Sequence, residues 1–150
     1  MEIISFFDSP DREYWLSKLR QCDWRAGAFL CELIDGDKFF ETLGNTSKLL
    51  LLTDGDRLVS FCTLSARDEI QDTELTPWIG FVYTFPEYRG HRCFGRLLNE
   101  AKRLAAEAGF EKIYLSTDHI GLYEKYGFEF AGTAVTVYGD RTRYYTAGTE

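Results

Sequence analysis

Val82-Tyr83-Thr84-Phe85-Pro86-Glu87-Tyr88-Arg89-Gly90-His91-Arg92-Cys93-Phe94-Gly95-Arg96-Leu97-Leu98 is the stretch of this 150-residue chain whose residue types and spacing can do chemistry. It reads as the end of an apolar strand, a stop at Pro86, a basic glycine-containing loop, and then an amphipathic helix. The unpaired N–H groups and positive dipole end of such a helix form an anion site best suited to phosphate. Arg89, Arg92 and Arg96 concentrate positive charge there. In the plainer reading, Gly90 and Gly95 ease a turn and the arginines are solvated. Gly90 and Gly95 also fit the frame of a nucleotide triphosphate loop, G-x-x-x-x-G, but Arg96 stands where its lysine belongs. Leu97 replaces the magnesium-binding hydroxyl, which excludes that loop.

Residues outside the loop must position it. Ile3 to Phe7 predicts a short first strand. Ser9-Pro10 then marks a helix start, and Trp15, Leu16, Leu19 and Cys22 give that helix one apolar face. A second helical region runs from about Gly27 to Leu43, interrupted near Asp35-Gly36-Asp37 and closed by Gly44. Lys48 to Thr53 and Arg57 to Ala66 read as a hairpin turning through Asp54-Gly55-Asp56. Arg67 to Pro77, with Asp68, Glu69, Asp72 and Glu74, reads as a solvated acidic loop. Trp78 to Phe85 is the strand that delivers the basic loop. The helix after it carries Leu97, Leu98, Ala101, Leu104, Ala105 and Ala108 at helical spacing and ends at Gly109. Lys112 to Thr117 predicts a buried strand, and Ile120 to Tyr126 a short helix stopped by Gly127. Two closing strands, Phe128 to Tyr138 and Thr142 to Tyr145, turn through Gly139-Asp140. This interleaving predicts an α/β fold of one domain, residues 1–150, with helices on both faces of a mixed sheet.

Composition narrows the partners. Hydrophobic residues make up 45% of the chain and charged residues 27%, a globular balance. The 17 Lys and Arg against 24 Asp and Glu leave a net charge of −7. Nucleic-acid binding draws its affinity from cationic side chains, so it is not expected; a cationic small molecule suits the acidic surface better. Cys22, Cys31, Cys62 and Cys93 lack any C-x-x-C pair, which argues against a zinc site and for free thiols. The longest aliphatic run, Leu49 to Leu52, is far short of the roughly 20 residues of a membrane span. The amino-terminal residues lack a signal-peptide pattern, making a cytoplasmic location the expectation.

Pro86-Glu87-Tyr88-Arg89-Gly90 before a helix, followed later by Gly121-Leu122-Tyr123-Glu124-Lys125-Tyr126-Gly127-Phe128, resembles the GNAT (Gcn5-related) N-acetyltransferase family. The first segment is similar to that family's acetyl-CoA pyrophosphate loop, and the second to its L-Y-E-K-x-G-F hallmark. The resemblance implies a mostly antiparallel central sheet and acetyl transfer from acetyl-CoA to a primary amine through a tetrahedral intermediate. It places the cofactor against Tyr83, Thr84, Phe85, Arg89, Gly90, His91, Arg92, Cys93, Phe94, Gly95 and Arg96. Family members often pair, so a homodimer is compatible with it. One departure stands out. The family's loop reads R-x-x-G-x-G or -A, whereas Arg92 and Phe94 occupy its fourth and sixth positions here. The competing class is a non-catalytic acyl-CoA-binding sensor or regulatory module.

Amine acetylation has three requirements. An amine with a pKa near 10.4 is only about one part in 10³ neutral at pH 7, so a base must take its proton. The carbonyl oxygen gains charge and wants N–H donors. The departing sulfur needs a proton. By resemblance Tyr123 stands beside the thioester sulfur as general acid, although an aromatic on a short helix also suits a core. His119, an imidazole of the kind that serves as a general base near neutral pH, and Glu74 are candidate bases, as are Asp68, Glu69, Asp72 and Asp118; a water chain would serve equally. Cys93 at a helix start raises a covalent acyl-cysteine route, for which no base is assigned.

Overall fold

The computed structural model describes residues 1–150. Its seven strands are β1 (Glu2–Ser5), β2 (Lys48–Asp54), β3 (Arg57–Ser65), β4 (Trp78–Thr84), β5 (Lys112–Thr117), β6 (Glu129–Val135) and β7 (Arg141–Gly148). They form one sheet in the order β1-β2-β3-β4-β5-β7-β6. Every neighbouring pair is antiparallel except β4 and β5, which run parallel. The mixed, mostly antiparallel α/β sheet is therefore the observed architecture. No helix is long and apolar enough to cross a membrane.

Helices cover both faces because the central strands are apolar on both. Along β2, Leu50 and Leu52 join the core under helix α4 (Cys93–Glu107), while Leu49 and Leu51 join the opposite core. Side chains alternate along a strand, so the four-leucine run feeds both layers. Leu97, Leu98, Ala101 and Ala105 form the buried stripe of α4. The other layer holds α1 (Arg12–Leu19), α2 (Arg25–Asp35) and α3 (Phe39–Leu43), which bring Trp15, Leu19, Leu30, Leu33 and Phe39 onto the sheet.

Local departures from the sequence reading have physical causes. The first strand ends at Ser5, and Phe6–Asp8 turn into a single 3-10 turn that buries Phe6. Helix α1 begins only at Arg12, while the Ser9 hydroxyl accepts the Asp11 N–H at 3.1 Å, closing a local turn instead of capping the helix. The short helix expected from Ile120 is one 3-10 turn, Tyr123–Tyr126. The last strand continues to Gly148 because it lies between β5 and β6 and pairs with both.

Candidate active site

Strands β4 and β5 part company early. Only Trp78 with Tyr114 and Ile79 with Leu115 pair across them, yet β4 runs on to Thr84 and β5 to Thr117. The result is a wedge opening toward the carboxyl ends of both strands, where parallel strands place ligands. A bulge in β4 lies at its base. Between the pairs Thr63–Gly80 and Phe61–Tyr83, β4 carries one more residue than β3, and Phe81 takes φ +48°. A left-handed Phe costs roughly 1–3 kcal/mol and persists only where its surroundings hold it. Here Trp24 and Phe29 pack on its ring, at 6.4 Å each.

The loop beyond β4 is a set of unspent donors. The amides of Gly90, His91, Arg92, Cys93 and Phe94 have no backbone acceptor in the protein; the first closure is Gly95 N–H to the Arg92 carbonyl at 3.1 Å. Arg92 precedes α4 with φ +57°, so this residue adopts the conformation for which glycine is favoured. His91 and Arg92 are exposed, and Cys93 is buried with its thiol 3.8 Å from the Tyr88 carbonyl. Arg89 donates from Nε to the Thr84 carbonyl at 2.9 Å and lies 5.3 Å over the Tyr83 ring. Arg96 donates to the Met1 carbonyl at 3.2 Å. Gly95 has a different use from loop flexibility: a Cβ there would come 2.9 Å from Tyr126 Cε1, so the glycine seats that ring. Phe94 packs on Tyr126 and Tyr123, at 4.8 and 5.9 Å. Tyr83 points away from α4 into the opposite core, stacked on Trp24 at 5.5 Å. Thr84 and Phe85 end the strand, the Thr84 hydroxyl 3.0 Å from Ser60 Oγ. A row of free amides with adjacent arginines fits a pyrophosphate, which would take the amides of Gly90 to Phe94.

Tyr123, which follows β5, packs into the core on the α4 side of the sheet. It is 7% exposed, and burial pushes its phenol up to about 12, with Cys62 and Tyr126 adding to the effect. Cys62 lies on β3 between Phe61 and Thr63, the residues that flank the bulge. A phenol that stays protonated through neutral pH can donate its proton. His119 is exposed and anchored only through its backbone, to Thr117 Oγ1 and the Tyr145 hydroxyl. Glu74 is exposed.

The acidic stretch departs from its solvated reading at two residues. Glu69 accepts a hydrogen bond from Ser116 Oγ at 2.9 Å, and its carbonyl accepts the Val137 N–H at 2.8 Å. Asp68 turns back onto the sheet: a Cβ on Gly80 would fall 2.7 Å from Asp68 Cγ and 3.0 Å from Oδ2. Burial pushes the Asp68 carboxyl up to about 7; the neighbouring Glu69 charge adds to the rise, and the Glu69 N–H opposes it. The sequence signal for this arrangement was Gly80, a glycine inside the apolar strand Trp-Ile-Gly-Phe-Val-Tyr, which marks a bulge or a close approach.

A model of the acetyltransferase (GNAT) family matches residues 5–128. The chain belongs to the GNAT acetyltransferase family. Members of this family take their acyl group from acetyl-CoA. Solved structures with the same fold include an aminoglycoside 6'-N-acetyltransferase complexed with coenzyme A, at 16% identity and TM-score 0.69, covering 100% of this chain and 98% of that one. The aminoglycoside 6'-N-acetyltransferase from Enterococcus faecium has 16% identity and TM-score 0.71 with the same coverage. A spermidine N-acetyltransferase mutant from Vibrio cholerae has 17% identity and TM-score 0.61 over 99% of this chain and 95% of that one. A search of curated proteins returned no match.

Proposed function

We propose that this GNAT acetyltransferase transfers the acetyl group of acetyl-CoA to a small cationic primary amine, by direct attack on the thioester through a tetrahedral intermediate. The observation that carries the reading is the early parting of β4 and β5, with the free amides of Gly90 to Phe94 following β4 and the buried phenol of Tyr123 following β5. The amides would hold the pyrophosphate, Arg89 and Arg92 would add charge, and the wedge would admit the pantetheine arm. Tyr123 would protonate the departing sulfur. The β4 bulge at Phe81 would offer the carbonyl oxygen a backbone N–H as it gains charge, since a bulge leaves one residue out of the ladder.

A cationic acceptor is supported by the net charge of −7 and by the neighbours, which are aminoglycoside and spermidine acetyltransferases. The test is calorimetric titration with acetyl-CoA followed by thiol release on adding spermidine or kanamycin. Acetyl-CoA should bind, and Arg92→Glu should weaken it without unfolding the protein. Absence of binding at millimolar acetyl-CoA would sink the reading.

A further inference from the structure

Asp68 is a carboxylate without a cation. No Lys or Arg forms an ion pair with it. The adjacent Arg67 is turned away, donating from Nε and Nη2 to the carbonyls of Thr42 and Glu41 at 3.3 and 3.1 Å. Glu69, the charged side chain that acts on it, is of like sign. Gly80, against which the carboxyl rests, brings no polar side chain. Buried carboxylates are ordinarily paired, because the uncompensated charge is expensive.

The position of this unpaired group is specific. Ile79 belongs to the core under α4, so Gly80 faces the opposite layer, and Asp68 approaches the β4 bulge from there. Tyr123 belongs to the α4 side. The two groups thus lie on opposite faces of the sheet. Thr63, directly across from Gly80 and so on the same face, is fully buried with its hydroxyl unpartnered. The face of the sheet that carries Asp68 at the bulge thus holds a second polar group without a partner.

We infer that Asp68 pairs with the ammonium of the acceptor and removes its proton, making it the general base of the acetyl transfer. This rests on the acetyl-transfer reading above. The ammonium gives one proton to the Asp68 carboxylate, and the freed lone pair forms the N–C bond at the thioester carbonyl. The C–S bond breaks with its electron pair going to sulfur, which takes the Tyr123 proton. The second proton shed by nitrogen as it becomes an amide returns through water to Tyr123, and Asp68 releases its own to solvent. A base titrating near neutrality suits this task, since it is largely ionised where the enzyme works and still basic enough to accept. Asp68 as a residue is half-buried, between core and surface. His119 and Glu74 are exposed and lack such a setting.

The test compares wild type, Asp68→Asn and Gly80→Ala with acetyl-CoA and spermidine or kanamycin. Asp68→Asn should keep its circular dichroism and acetyl-CoA affinity but lose about 10² to 10⁴-fold in kcat/KM. The wild-type profile of kcat/KM against pH should rise through a limb near 7 that Asp68→Asn lacks. Gly80→Ala, whose methyl displaces the carboxyl, should lose activity while leaving Asp68 in place in the sequence. Wild-type rate and pH profile in Asp68→Asn would overturn the assignment while leaving acetyl transfer intact. Wild-type protein that binds acetyl-CoA yet acetylates no amine in a broad panel would overturn the transfer reading and the base with it. A carbon-13 titration of the Asp68 carboxyl needs no turnover: a pKa near 7 is expected, and an ordinary value near 4 would overturn the proposal.

Discussion

Tyr123 and Phe94 meet edge to face, with ring centroids 5.9 Å apart, so the phenol and the first turn of α4 share one packing unit. The helix start that offers free amides is thereby held in fixed relation to the Tyr123 phenol. Tyr123→Phe keeps the ring and removes only the oxygen, so melting temperature and acetyl-CoA affinity should change little. Turnover should fall about 10² to 10⁴-fold where chemistry is rate-limiting. Steady-state rates beside calorimetry check this; a loss of fold in place of rate would make Tyr123 a packing residue.

Asp68 has a stability signature independent of catalysis. Its carboxyl titrates at about 7 in the folded protein against an ordinary 3.8. The raised value means that the fold disfavours the charged form. The cost is absent below about pH 4, grows between pH 4 and 7, and is complete above 7. Asp68→Asn does not titrate, so its stability relative to wild type should increase across that window, by on the order of a few kcal/mol at pH 8. Denaturant melts at pH 4.5 and pH 8 read the difference; an equal gap at both would contradict the burial.

Arg92 trades backbone strain for charge. At φ +57° a side chain costs about 1–2 kcal/mol that glycine does not. Arg92→Gly should therefore melt later than Arg92→Ala by roughly that energy, while both bind acetyl-CoA more weakly than wild type. Thermal melts with and without acetyl-CoA separate the two effects.

Gly95 has the opposite sensitivity. Gly95→Ala places a methyl 2.9 Å from Tyr126 Cε1, inside contact distance. The ring must shift, at a cost of about 1–3 kcal/mol, and Phe94, tilted against it at 4.8 Å, should move with it. Chemical denaturation and near-ultraviolet dichroism of the tyrosines would record both.

Much of this was legible in the residues. The helical spacing of Leu97, Leu98, Ala101 and Ala105, the Asp54-Gly55 hairpin and the strand–loop–helix around Arg89 are local patterns, and local patterns survive folding. The buried carboxyl of Asp68 was not, because it depends on Gly80 leaving a gap and on which face of β4 that gap opens. Sequence distance hides such a contact, and an acidic stretch of this composition looks solvated. Arg92 shows the converse: it stands where the family's loop pattern has glycine, yet its backbone takes the left-handed conformation at φ +57° and carries the strain. The wedge itself follows from where β4 and β5 stop pairing, a property of register that no single residue encodes.

The most direct test of the account is the release of coenzyme A thiol when wild-type protein and acetyl-CoA are mixed with cationic amines at neutral pH, followed by mass spectrometry of the amine. Acetyl transfer predicts thiol release that depends on the amine and a product 42 Da heavier, as one hydrogen is exchanged for an acetyl group. Tight binding of acetyl-CoA with no amine-dependent thiol across a broad panel would contradict it, and would leave the fold as a module that holds acetyl-CoA without turning it over.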